Sequence, residues 1–132
     1  MKRIRALRTK ASLFAGASLL AGLGIGTGAS PAHAAYSDCG QTEVCFFTGA
    51  YGTGQKCAWT GYDPDWQKGA TVCSWADDSN VRSVFNNGRS GMVVIYYKGA
   101  DYTDRVGCTK AGVAGNLAGT YKIRSHHWAD SC

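Results

Sequence analysis

A chain of 132 residues with 14 Lys and Arg against 9 Asp and Glu has a formal charge of +5, which taken whole would point to a polyanionic partner. The surplus is confined to the start. Lys2, Arg3, Arg5, Arg8 and Lys10 precede an uncharged, Ala/Leu/Gly-rich run at 11–25, and Ala32-His33-Ala34 supplies the small-x-small pattern of a secretory cleavage site.

The sequence therefore predicts a leader over 1–34, removed on export, and a single secreted domain over 35–132. In that domain nine cations face nine acids. This excludes the clustered positive charge that displaces counterions from phosphates, so no nucleic-acid partner is expected. The apolar run is too short and too glycine-rich for a membrane span, and no membrane partner is expected. We expect a monomer.

All six cysteines, Cys39, Cys45, Cys57, Cys73, Cys108 and Cys132, lie after the leader. An exported chain meets an oxidising medium, where thiols pair. Three disulfides are expected, and 15 pairings are open to six cysteines. Zinc is the rival use of such a set, but no Cys-x-x-Cys spacing exists and only His126 and His127 remain as partners.

Short runs rich in aromatic and β-branched residues predict strands, in chain order, at 43–48, 55–60, 81–86, 92–97, 105–109 and 121–128. Asn86-Asn87-Gly88 marks a turn between the third and fourth, since Asn and Gly tolerate positive φ at low cost. Segments 64–72 and 111–118 carry enough glycine to read as loops. No stretch sustains a helical period, so the predicted class is all-β.

Two features recur in the same order. Phe46-Phe47-Thr48-Gly49-Ala50-Tyr51-Gly52 is echoed by Tyr97-Lys98-Gly99-Ala100-Asp101-Tyr102-Thr103, and Asn80-Val81-Arg82-Ser83-Val84 by Lys122-Ile123-Arg124-Ser125-His126. Each half then reads as an aromatic hairpin, a second strand, a long glycine-containing loop and an aliphatic-Arg-Ser strand. Four strands with a long return connection make a Greek key, and two such units can close their sheets over one core.

These motifs resemble the half-domain signature of the βγ-crystallins. The Cys39-to-Cys45 opening and the closing Ser125-His126-His127-Trp128 segment with Cys132 are similar to the secreted actinobacterial proteins classed as peptidase inhibitor family I36. Thr53 and Asp104 stand where the signature wants glycine. The resemblance implies a disulfide-bonded sandwich of two Greek keys and pairs Cys39 with Cys45. Of the pairings left, we take Cys57 with Cys73 and Cys108 with Cys132.

The resemblance also implies two sites. Many βγ-crystallin domains bind calcium through a short acid-to-serine motif in each half. Here Asp77, Asp78 and Ser83 are what remains of it in the first half, with Arg82 where a ligating hydroxyl belongs, and the second copy at 120–125 has no carboxylate. Calcium needs six to eight oxygens with anionic help, so no cofactor is expected and this degenerate set stands as the alternative. The I36 resemblance implies inhibition of an extracellular peptidase, a metalloprotease being one option, by a disulfide-stapled loop.

The candidate loops are 61–74 and the one following Cys108, with Asp63, Asp65, Trp66, Cys73, Ser74 and Trp75, in or beside the first, as the residues singled out. Trp66 and Trp75 would anchor a partner if exposed and roof the core if buried. An enzyme is not expected: His126 and His127 are neighbours on a predicted strand and point to opposite faces, and no nucleophile motif accompanies them. The alternative is a non-inhibitory βγ-crystallin-like module, binding, structural or toxin-like, with weak calcium binding.

Overall fold

A computed structural model describes residues 35–132, and the expected leader at 1–34 lies outside the described residues. Among the described residues seven strands form two antiparallel sheets: β1 Val44–Phe47, β2 Lys56–Trp59, β3 Val81–Asn86, β4 Val93–Gly99, β5 Thr103–Thr109, β6 Ala114–Tyr121 and β7 Ser125–Ala129. One sheet has the order β2-β1-β3-β6 and the other β5-β4-β7. The helical content of the described residues is two single 3-10 turns, Tyr36–Asp38 and Ala50–Gly52. The all-β expectation holds.

The two sheets share one core. Val44 and Phe46 of β1, Trp59 of β2 and Val81 and Val84 of β3 meet Val94 and Tyr96 of β4 in a single buried cluster, and the Phe46 and Tyr96 rings lie edge to face at 5.5 Å. Aromatic pairs in this geometry add attraction beyond the area they remove from water. The β1 strand is also covered on its outer face. Cys45 and Phe47 pack there under Tyr36 and Cys39, so all four β1 residues are buried.

The halves exchange strands. β6, from the second half, hydrogen-bonds to β3 of the first. In return Asp63, from the first half, forms a single antiparallel bridge with His126 on the free side of β7. The link from β3 to β4 crosses between the sheets, so Asn86-Asn87-Gly88 turns the chain without making a paired hairpin. Asn86 Oδ1 accepts from the Gly88 amide, and Asn87 Nδ2 donates to the Cys39 and Gly40 carbonyls.

Two sequence expectations are corrected. Segment 111–118 is not a loop, because most of it lies in β6, the longest strand at eight residues. Its alternating exposure shows a strand half open to solvent, built from Ala and Gly that carry no β-propensity signal. Conversely, the strand expected at 121–128 begins only at Ser125, since Lys122, Ile123 and Arg124 form an irregular link.

The expected duplication reappears as two matching corners. Ser83 Oγ donates to the Gly49 carbonyl at 2.7 Å and accepts from the Gly52 amide at 2.8 Å. Ser125 Oγ donates to the Gly99 carbonyl at 2.6 Å and accepts from the Tyr102 amide at 3.1 Å. The equivalence pairs Gly52 with Tyr102 and Tyr51 with Asp101, so the two tyrosines, aligned by their aromatic character, sit one position apart. All three disulfides form as taken above: Cys39–Cys45, Cys57–Cys73 and Cys108–Cys132.

Candidate functional site

The segment between β2 and β3 is long, irregular and held at many points. Asp63 opens it with Asx turns: its Oδ1 accepts from the Asp65 amide at 2.9 Å, and Asp65 Oδ1 accepts from the Gln67 amide at 3.0 Å. Asp and Pro favour such local turns because a short carboxylate satisfies the backbone that a ladder would otherwise hold. Asp63 Oδ2 accepts the Trp59 indole N–H at 3.0 Å. The Pro64 carbonyl accepts from the Asp101 amide, which ties the segment to the second corner.

Trp66 is the central anchor, fully buried at 0 % exposure. It stacks on Trp59 with centroids 4.4 Å apart and meets Trp75 edge to face at 6.3 Å. Its amide donates to the Arg124 carbonyl, and its own carbonyl accepts from the Cys73 amide at 2.9 Å. The Cys57–Cys73 bond closes the same point covalently onto β2. Residues 67–72 thus leave and return through one fixed neck.

Arg124 grips the neck from the side. Its Nε lies 3.0 Å from Asp65 Oδ1 and its terminal nitrogen 3.1 Å from Oδ2, a bidentate pair. That hydrogen bond is the main reason the Asp65 carboxyl titrates below its ordinary value, burial pulling the other way, and the same contact raises Arg124. Beneath, the His126 ring is wholly buried, and burial above all lowers its pKa to about 4.

The residues singled out by sequence make the base of this loop and not its tip. Asp63, Trp66, Cys73 and Trp75 are buried, Asp65 is half-buried in its ion pair, and Ser74 is exposed. The continuous exposed stretch is 68–72, ending in Val72 at 57 % exposure, with Tyr62 at 70 % beside it. A hollow of about 290 Å³ opens between Trp59, Tyr62 and residues 68–71. Sequence reasoning passed over 68–72 because Lys68-Gly69-Ala70-Thr71-Val72 carries no motif. The usable signals were the Asp63-Pro64-Asp65 turn chemistry and the cysteine that follows.

The residues of the degenerate calcium motif are divided between surface and interior. Asp77 and Asp78 lie on an exposed turn, Asp78 Oδ1 accepting from Ser79 Oγ, whereas the Ser83 hydroxyl is buried and committed to its corner. Among the described residues one group of three potential metal ligands clusters, Cys39, Glu43 and Cys45, and both sulfurs there belong to a disulfide. His126 and His127 face apart as expected. His127 stacks on Tyr97 with its Nε2 2.8 Å from the tyrosine hydroxyl.

The domain is small, all-β and stapled by three disulfides, and its exposed 68–72 segment stands on a neck fixed by the Trp66–Cys73 backbone bond and the Cys57–Cys73 bridge. Residues 32–109 match the model of peptidase inhibitor family I36, and the chain belongs to that family. No curated protein and no solved structure matches it. Membership supports a peptidase-inhibitor role, with a peptidase as partner. Among the described residues no helix is long and apolar enough to cross a membrane.

Proposed function

We propose that the protein is a secreted inhibitor of an extracellular peptidase and that residues 68–72 are the segment that enters the target's cleft. One observation carries the reading: these residues are exposed without interruption, while both ends of the segment are fixed by the Trp66–Cys73 backbone bond and the Cys57–Cys73 disulfide. A segment already held in one shape loses little further conformational freedom on binding, so more of its contact energy appears as affinity. Tyr62 beside the tip adds an aromatic surface of the kind that dominates binding energy at interfaces.

The reciprocal exchange of β6 and the Asp63 segment between halves supports the βγ-crystallin-like reading of the scaffold. The commitment of the Ser83 hydroxyl to its corner supports leaving calcium out of the function. The test is a titration of secreted metallo- and serine peptidases with the oxidised protein. Stoichiometric loss of activity in at least one is expected, and a panel left fully active would overturn the reading.

A further inference from the structure

We propose that His126 is the positioning residue of the 61–73 loop, holding Gly61 and Trp66 by ring bonds that only the neutral imidazole can make, so that acid frees the loop while the sheets stay paired. The functional consequence rests on the inhibitor reading above. The physical claim does not.

His126 stands on β7 opposite Tyr96. Its ring enters an aromatic cage in which Phe46 of β1, Trp59 of β2 and Trp66 of the loop lie with centroids 5.7, 4.8 and 5.7 Å away. Nδ1 is 2.8 Å from Trp66 Nε1, and Nε2 is 2.9 Å from the Gly61 carbonyl oxygen. An indole N–H can only donate and a carbonyl can only accept, so Nδ1 must be bare and Nε2 must carry the proton. One tautomer of the neutral ring satisfies both partners.

Both partners belong to the loop, and so do the two backbone bonds that His126 exchanges with Asp63. A single residue therefore ties the loop at 61, 63 and 66. Protonation would set an N–H at Nδ1 against the Trp66 N–H, in a place where neither ring has solvent access. The imidazolium would also sit among aromatic rings without water to hydrate it. The direction of the His126 shift agrees, with burial as its largest cause and the neighbouring His127 adding to it.

The titratable groups around the ring are otherwise engaged. From the loop, Asp63 accepts from the Trp59 indole and the Asp65 amide, and Asp65 is paired with Arg124. From β4, the Tyr96 hydroxyl bonds Thr109, and on β7 itself His127 bonds Tyr97. β1 and β2 contribute the uncharged Phe46 and Trp59 to the cage. None of these groups hydrogen-bonds the His126 ring, so no acid stands ready to stabilise its cation.

The experiment is amide hydrogen exchange on the oxidised protein, read as protection factors at neutral pH and one unit below the His126 value, with the His126 ring nitrogens titrated by NMR. The Trp66, Lys68 and Cys73 amides, which donate to Arg124, Asp65 and Trp66 carbonyls, should lose at least tenfold in protection while β1 and β3 amides keep theirs. The midpoint of that loss should coincide with the titration of Nδ1. Asp63→Asn and Asp65→Asn should leave the acid release in place, and His126→Gln, which keeps a donor and an acceptor without titrating, should abolish it.

Equal protection at both pH values, separate midpoints, loss shared by the strands, or acid release surviving in His126→Gln would each overturn the proposal. The wild-type midpoints decide the matter if that variant does not fold. A protein that inhibits no peptidase yet loosens its loop with His126 refutes only the inhibitor reading. One that inhibits with a loop indifferent to acid refutes only this proposal.

Discussion

Gly52 and Tyr102 occupy one position in two copies of the same corner: each amide donates to a buried serine hydroxyl, Ser83 or Ser125. Both have positive φ, 75° and 61°. The first copy meets that requirement with glycine, for which it carries no steric penalty. The second meets it with tyrosine, whose ring packs against Tyr97 and His127 at 5.8 and 4.8 Å. Packing there offsets the backbone strain.

The serines should be costly to remove. Ser83→Ala or Ser125→Ala deletes a fully buried hydroxyl that serves one donor and one acceptor. A buried backbone group left without its partner costs about 1–3 kcal/mol. Each variant should lose that much in chemical denaturation with an unchanged slope, and wild-type stability in either would disprove the shared role.

Gly54 and Asp104 form a second equivalent pair at positive φ, 80° and 60°. A Cβ on Gly54 would collide with the Thr48 side chain and the Gly49 amide, whereas Asp104 already bears one and holds a 3.6 Å ion pair with the exposed Lys98. Gly54→Ala should therefore destabilise by more than about 1 kcal/mol. Asp104→Gly should change stability by less than about 1 kcal/mol, since relief of strain opposes loss of a surface pair. Melting temperatures of the two variants give the comparison directly.

Tip and base of the loop should separate cleanly. Val72→Asp alters an exposed side chain and should shift stability by no more than about 0.5 kcal/mol while weakening inhibition at least tenfold. Trp66→Ala empties the centre of the aromatic cluster and should cost about 3–5 kcal/mol. Paired denaturation and inhibition assays would show whether 68–72 is the contact surface.

Stability should fall with acid in a definite window. The ordinary histidine value of 6.5 describes the unfolded chain, and the folded value of His126 is about 4. Above 6.5 both states are neutral and the full contribution is present. Between 6.5 and 4 only the unfolded chain takes up the proton, so stability declines by about 1.4 kcal/mol per pH unit, roughly 3 kcal/mol in all. Below 4 this loss is complete. Asp65, held below its ordinary value chiefly by Arg124, adds a further loss as pH drops through its own lowered range. Unfolding curves in His126→Gln should lack the upper part of the decline.

Much of the scaffold was legible because its strands follow physical rules that a sequence displays. Val81–Asn86 was read to the residue, its buried Val81, Ser83 and Val84 lying among β-branched and aromatic neighbours. The β6 strand was not legible, because Ala114, Gly115, Ala118 and Gly119 have little intrinsic preference for an extended strand and the pairing with β3 decides their conformation. The corner repeat was seen one residue out of register, since tyrosines attract alignment but the serine hydrogen bonds fix position. Arg124 pairs with Asp65, 59 residues earlier, a partnership that the fold alone sets.

The doubly covered β1 strand divides the molecule into parts that can and cannot vary. With water on neither side, Val44, Cys45, Phe46 and Phe47 leave no position at which a polar replacement is harmless. β1 is the rail on which β2 lies, and β2 carries the tryptophan under the loop's anchor. Residues 68–72, exposed along their whole length, can therefore change without touching that foundation.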